Sequence, residues 1–297
     1  MTLPRTAGRR LLLVHAHPDD ETLTTGGAIA RYTADPDTSV TVVTCTLGEE
    51  GEVIPPELRE LAPDRADQLG GYRIHELAGA LAALGGPDHR YLGGAAHWRD
   101  SGMVLAGHGG VWAATPAELH PRALAAPEAF DEQLARLLEI VDEVHPQVVV
   151  SYAHDGGYGH PDHVRAHLLV AAAVQARPDV VARLFHAVVG RTTLDKGLAE
   201  IVGLPGLPFR APGDDELPGV PDADVTTRLD VTAHRAARIE AMQAHATQIS
   251  VWDSGRGPVA LAMSNEVAQP LLDVEEYVLA RGAGPAPADD LFSGLDL

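Results

Sequence analysis

The chain is short of the groups that crosslink proteins or anchor them in membranes. Its 297 residues include one cysteine, Cys45, and one lysine, Lys196. A lone cysteine cannot form an intrachain disulfide, which suits a reducing cytoplasm. Cys45 lies in the apolar run VTVVTCT, where a thiol acts as a small buried core residue. Scarce lysine beside abundant Arg, Ala, Gly and Pro reads as genomic base composition rather than chemistry. No segment approaches the ~18 uninterrupted apolar residues of a membrane span. The N-terminus, MTLPRTAGRRLLLVHAH, lacks the long apolar stretch and cleavage site of a secretory signal. The expectation is a soluble, cytoplasmic protein.

Positive charge is short as well. The net charge is -20 and the isoelectric point near 5.0. Such a surface repels phosphate backbones and anionic lipid, so neither nucleic acid nor a membrane is an expected partner. A neutral or cationic small molecule fits better, and the oligomeric state stays open, a homo-oligomer included. With 45% apolar residues the chain can bury a sizeable core.

Residues 10–16 and 39–46 are apolar runs without strict alternation, the pattern of strands covered on both faces of a parallel sheet. "TLTTGGAIARYTA" between them reads as a helix. A second helical stretch spans about 57–84, broken near Pro63 and Gly70-Gly71, and "HRYLGG" reads as a third strand. "EAFDEQLARLLEIVDEVHP" is amphipathic and stops before Pro146; "QVVVSYA" follows as a buried strand. This order predicts an α/β fold, a Rossmann-like, doubly wound, mostly parallel sheet. The expected division is a core over 1–176, a smaller C-terminal portion over 177–281, and a loosely held tail over 282–297. Within the C-terminal portion "RLFHAVVG" suggests a strand, "VTAHRAARIEAMQAHAT" a helix, and "EEYVLAR" a short helix.

Two clusters carry chemistry. The first strand delivers "HAHPDDE" to its C-terminal end, and the later strand delivers "HDGGYGHPDHVRAH" to the same sheet edge, where open α/β sheets bind ligands. A dinucleotide loop would offer glycines and backbone donors to an anion; three adjacent carboxylates would repel one. A divalent cation resolves that repulsion. His17 and Asp20 can chelate it, with a third ligand from the second cluster, leaving a position for water as in catalytic zinc sites. Such an ion brings a water's pKa from 15.7 to about 7. Asp19 or Glu21 could then accept a proton. Of His160 and His163, placed around a helix begun by Pro161, one can ligate and the other donate a proton or hold an oxyanion, with Asp162 to orient an imidazole.

The "HPDDE" of His17 to Glu21 and the "HPDH" of His160 to His163 resemble the paired signatures of the zinc-dependent deacetylases of the PIG-L/LmbE-like family. The likeness extends through "VVTCTLGEEGEV", "ADQLGGYRI", "YLGGAAHWRDSGM", "GGYGHPDHV" and "AHATQ". The resemblance implies one Zn2+ per chain, or Fe2+, on His17, Asp20 and His163. It implies Asp19 as general base, and His160, helped by Asp162, as general acid or electrostatic stabiliser. Tyr158 would polarise the scissile carbonyl, and Arg73, Asp100, Glu52 and Met103 would contact the substrate. The members most similar to this chain remove acetate from N-acetylglucosaminyl-inositol, a pseudodisaccharide, in mycothiol biosynthesis. Alternatives are a mycothiol S-conjugate amidase, a deacetylase of another N-acetyl sugar, or, from another class, a non-catalytic metal- or glycan-binding protein. Where relatives carry an Asp-Pro-Asn run, this chain reads Ala153-His154-Asp155, so the loop before Tyr158 is expected to be held differently.

Overall fold

The computed structural model describes residues 8–106, 112–214 and 216–297. In chain order the strands are β1 (Arg9–His15), β2 (Thr38–Thr44), β3 (Asp88–Tyr91), β4 (Val104–Ala106), β5 (Trp112–Ala114), β6 (Val148–Ser151), β7 (Arg183–Val188), β8 (Thr227–Asp230), β9 (Ser250–Asp253), β10 (Pro258–Ala262), β11 (Gln269–Pro270) and β12 (Val274–Arg281). The helices are α1 (Asp20–Thr33), α2 (Leu69–Ala83), α3 (Phe130–Val144), α4 (Pro161–Ala176), α5 (Arg191–Ile201) and α6 (Arg235–Ala244). The helical stretch expected over 57–84 divides into a 3-10 turn at Pro56–Leu61 and α2.

Side chains of β1 alternate between faces, yet all four of Leu11 to Val14 are buried, because helices cover both sides. Leu11 and Leu13 pack with Ile29 of α1, Leu77 of α2 and Ala241 of α6. Leu12 and Val14 pack on the opposite side with Leu137 of α3 and Leu169 of α4. The main sheet runs β3-β2-β1-β6-β7-β12-β8. From β1 the chain steps outward to β2 and β3, then returns to β6 on the other flank of β1, pairing Leu11 with Val148. Loops leaving β1 and β6 therefore diverge at one sheet edge and open a crevice between them. None of the helices is long and apolar enough to cross a membrane among the described residues.

Past residue 176 the structure corrects the sequence reading. "EEYVLAR" belongs to a strand: β12 lies between β7 and β8, antiparallel to both. Its neighbours Glu275 and Glu276 project to opposite faces, and both are buried. Glu275 accepts the N–H groups of Gly27 (2.6 Å) and Ala28 (2.8 Å) inside α1 and the Tyr277 hydroxyl (2.8 Å). Glu276 accepts the Gly190 N–H (2.6 Å), the Thr193 hydroxyl (2.9 Å) and Arg228 Nε (2.8 Å). Two adjacent glutamates suggest a solvated helix, and here local hydrogen bonds make both acceptable inside. Nor is the whole of 282–297 loose: Leu291 and Phe292 join the core, and the Leu291 N–H donates to the Tyr32 hydroxyl at 2.8 Å. Two apolar side chains suffice to dock the segment, where its Gly, Ala, Pro and Asp content suggested none would.

Gly27 gives a test of this packing. A Cβ there would lie 2.5 Å from Val231 Cγ1 and 2.6 Å from its Cβ. Gly→Ala inside a helix ordinarily gains up to about 1 kcal/mol. Here overpacking reverses the sign, and Gly27→Ala should lose about 1–3 kcal/mol in urea unfolding. A more stable variant would contradict the packing described.

Candidate active site

The crevice is built from both strand ends. After β1 the chain passes His17 and enters α1, whose N-cap, Asp19, has φ 99° and ψ -35°. L-residues seldom adopt that conformation, and it costs about 1–3 kcal/mol. After β6 a loop leads to His160, the N-cap of α4, with Pro161 opening the helix. The loop after β3 brings Asp100 and Ser101. His17, Asp19, Asp20, Asp100, His160, Asp162 and His163 meet here, all buried.

Hydrogen bonding decides which imidazole nitrogen carries a proton. The His163 Nδ1 lies 3.0 Å from the Gly156 carbonyl, which can only accept. His163 Nε2 is thus a buried lone pair with no hydrogen bond, 3.4 Å from Asp20 Oδ1. The His17 Nε2 faces Asp162 Oδ2 at 3.2 Å and Asp100 Oδ1 at 3.5 Å, which places its proton there. That leaves His17 Nδ1 as a lone pair 3.3 Å from Asp20 Oδ2. His160 is the reverse case: its Nδ1 accepts the Asp162 N–H at 3.2 Å, so Nε2 carries the proton. Ring nitrogens of all three histidines lie within 4.8 Å of one another, a grouping able to hold a metal ion.

Charge separates these groups. Burial raises Asp19, Arg73 opposes and Asp20 adds to the rise, leaving the carboxyl pushed up to about 6. Asp20 goes the other way: burial is overcome by His163 and His17, which hold it well below the usual carboxylate range. Burial and then the neighbouring His17 and His163 push His160 down to about 2, so its imidazole is neutral. At His17 burial is outweighed by Asp100, with Asp162 and Asp20, and the ring is raised well above its ordinary value; the added proton sits on Nδ1 facing Asp20, and it is the one a bound cation would displace to free the lone pair.

The remaining site residues fall in several places. Arg73, on α2, is buried, donating to Asp19 Oδ2 (3.0 Å), the Gly48 carbonyl (2.7 Å) and the Pro18 carbonyl. Asp100 accepts the Gly102 N–H at 2.9 Å and the Glu50 N–H at 3.3 Å as well as facing His17. Tyr158 sets its ring 5.2 Å from His163 and 6.0 Å from His160. Glu52 is exposed, its carbonyl accepting from Gln248 Nε2 at 3.0 Å, and Met103 is exposed nearby in sequence. The Asp162 carboxylate turns to Ser101 and His17, while only its backbone N–H meets His160. Ser101 was missed in the sequence, although it stands beside Asp100 in "HWRDSGM". Tyr152, at the end of β6, was missed too: its hydroxyl donates to Asp20 Oδ2 at 2.7 Å and accepts the Ala16 N–H at 2.8 Å.

Comparison with known proteins agrees with this geometry. A family model described as PIG-L, GlcNAc-PI de-N-acetylase, matches residues 12–174, more than half of the chain and both clusters. The chain belongs to the PIG-L family. Among curated PIG-L relatives, the 1D-myo-inositol 2-acetamido-2-deoxy-alpha-D-glucopyranoside deacetylase of Actinosynnema mirum is 57% identical over 295 residues, covering 99% of each chain. The corresponding deacetylase 1 of Saccharopolyspora erythraea is 55% identical over 299 residues, covering 99% of this chain and 96% of that one. A solved deacetylase–teicoplanin complex from the teicoplanin biosynthesis pathway shares the fold, at a TM-score of 0.53 and 18% identity, covering 92% of this chain and 99% of that one.

Tyr152 supplies the prediction for this site. Tyr152→Phe strands the buried Ala16 N–H and withdraws a donor from Asp20. It should lower stability by about 1–3 kcal/mol, read as a lower midpoint in denaturant at unchanged slope.

Proposed function

We propose that this PIG-L member is a metal-dependent deacetylase that hydrolyses the N-acetyl group of N-acetylglucosaminyl-inositol, giving glucosaminyl-inositol and acetate in mycothiol biosynthesis. The substrate follows the names of full-length relatives at 57% and 55% identity. The observation that carries the chemistry is the pair of buried lone pairs, His17 Nδ1 and His163 Nε2, facing opposite oxygens of Asp20 at 3.3 and 3.4 Å. Three acceptors so placed repel one another unless a proton or a metal cation lies among them. A divalent ion held by both imidazoles and this carboxylate would relieve the repulsion and suits the chemistry of the donor set.

His17, Asp20 and His163 would hold one Zn2+, or Fe2+ where that ion is the more available. His160 stays outside that set because its Nδ1 is occupied by the Asp162 N–H, so Nε2 offers a proton rather than a lone pair. When bound, the ion supplies Lewis acidity, polarising the acetamide carbonyl and acidifying a water. Asp19, pushed up to about 6, takes the proton of the attacking water. Arg73 keeps its carboxylate in place. The neutral His160 donates from Nε2 to the developing oxyanion, with the Tyr158 hydroxyl as a second donor. As the C–N bond breaks, Asp19 returns its proton to the amine. Asp162, tied to Ser101, fixes the ring and tautomer of His17, which differs from a role of helping His160. Asp100, Glu52 and Met103 line the approach for the polyol. Arg73 is occupied inward, so it serves Asp19 instead of reading the sugar. The residues after 177 complete the site, Gln248 holding the Glu52 loop.

Two measurements test this reading. Chelator-stripped protein should release no acetate from N-acetylglucosaminyl-inositol, and one equivalent of Zn2+ or Fe2+ should restore release, faster than cleavage of a mycothiol S-conjugate run in parallel. No turnover of metal-loaded protein would overturn the assignment. Asp19→Ala should keep its metal and lose about 10²–10⁴-fold in kcat; an unchanged rate would remove Asp19 as the base.

A further inference from the structure

One acidic residue of the HPDDE motif has no part in that chemistry. Glu21 is fully buried, and so is its partner His245, 224 residues later, with His245 Nε2 2.9 Å from Glu21 Oε1. The other oxygen, Glu21 Oε2, accepts the backbone N–H of Asp19 at 2.9 Å, and the Thr22 hydroxyl donates to Oε1 at 2.6 Å. Asp19 is the residue whose backbone stands at φ 99°. An unusual backbone conformation persists only where its surroundings over-determine it.

We propose that His245 is a positioning residue for Asp19, acting through Glu21; this rests on the reading of Asp19 as the base. Asp19 is gripped at two points. Arg73 holds its carboxylate, and Glu21 holds its N–H. A carboxylate on three rotatable bonds serves as that second grip only while its other oxygen is tied, and His245 ties it from across the fold, beside the neighbouring Thr22 hydroxyl. His245 is in turn set by the turn closing α6, where its carbonyl accepts the N–H groups of Gln248 and Ile249, each at 2.9 Å. The same turn is bolted to α2: Thr247 donates its N–H (2.8 Å) and hydroxyl (2.7 Å) to Glu76, three residues beyond Arg73. Both grips on Asp19 thus share one support, made where the C-terminal portion meets α2. Displacing a general base by a fraction of a bond length loses rate without loss of substrate affinity.

The test compares His245→Gln, which can still reach Glu21 with an N–H, and His245→Asn, which is too short, in the metal-loaded full chain. His245→Asn should bind one equivalent of metal and keep KM within about two-fold, while kcat falls about 10–100-fold. His245→Gln should recover most of the loss. Hydrogen exchange at the Asp19 amide should quicken about ten-fold or more in His245→Asn and little in His245→Gln. In an Asp19→Ala background His245→Asn should cost nothing further, since residues acting on one function do not add. A kcat within about two-fold of the parent in His245→Asn, or a full additional loss in the double variant, overturns the inference. If Asp19→Ala alone is as active as the parent, the proposed base falls and this inference with it. An inactive Asp19→Ala beside a fully active His245→Asn removes only the positioning role.

Discussion

The carboxylate of Asp20 is the point on which the architecture converges. One oxygen faces the His17 lone pair and takes the Tyr152 hydroxyl and the His17 N–H; the other faces the His163 lone pair. These partners come from three places in the chain: the turn after β1, the end of β6, and the first turn of α4. Only a sheet that sends β1 and β6 side by side and their connections in opposite directions can assemble them. The apolar strands are thus constrained in register by a polar requirement at their ends, since slipping β6 by one residue against β1 would move Tyr152 off Asp20 and Ala16.

Adjacent aspartates illustrate how environment divides identical side chains. Asp19 and Asp20 differ by one position, yet Asp19 is driven upward by burial while Asp20 is held down by two imidazoles against the same burial. The strained turn makes the difference, sending one carboxylate toward Arg73 and the other toward the histidines. Groups whose surroundings push them apart in this way take separate chemical tasks. The repulsion evident in the string of three acidic residues is resolved by giving each its own counter-group: Arg73, the His17–His163 pair, and His245.

Much of this was legible beforehand, and the reasons differ by element. The two clusters could be placed at one edge because buried strands and the βαβ order are strong signals in β1, β2 and β6. Proton placement was not legible, because it depends on the Gly156 carbonyl and the Asp162 N–H, backbone groups that carry no side-chain signature. The contact of Asp162 with Ser101 and His17 was hidden for a similar reason: proximity in sequence to His160 suggested a side-chain partnership, whereas at the helix start the Asp162 backbone N–H meets His160 and the carboxylate turns to Ser101 and His17. β12 was misread as a helix because its buried glutamates break the alternation that marks a strand. Arg73 was read as a contact for a polyol, and only the fold reveals the two carbonyls and the carboxylate to which its terminal nitrogens donate.

The placement of β12 also bears on how the protein is made. β8 is the outermost strand on its side, and its ladder partner is β12, which ends at Arg281. In synthesis order β8 precedes its ladder partner by more than forty residues, so its pairing groups wait on the arrival of β12. The stretch matched by the family, 12–174, can collapse first, but Glu275 has then not yet reached α1, nor His245 reached Glu21. A nascent or truncated chain would therefore hold the whole HPDDE and HPDH vocabulary with Asp19 only half gripped. Shortening the protein to its most recognisable half would discard the hydrogen bonds by which Glu275 holds α1 and His245 holds Glu21.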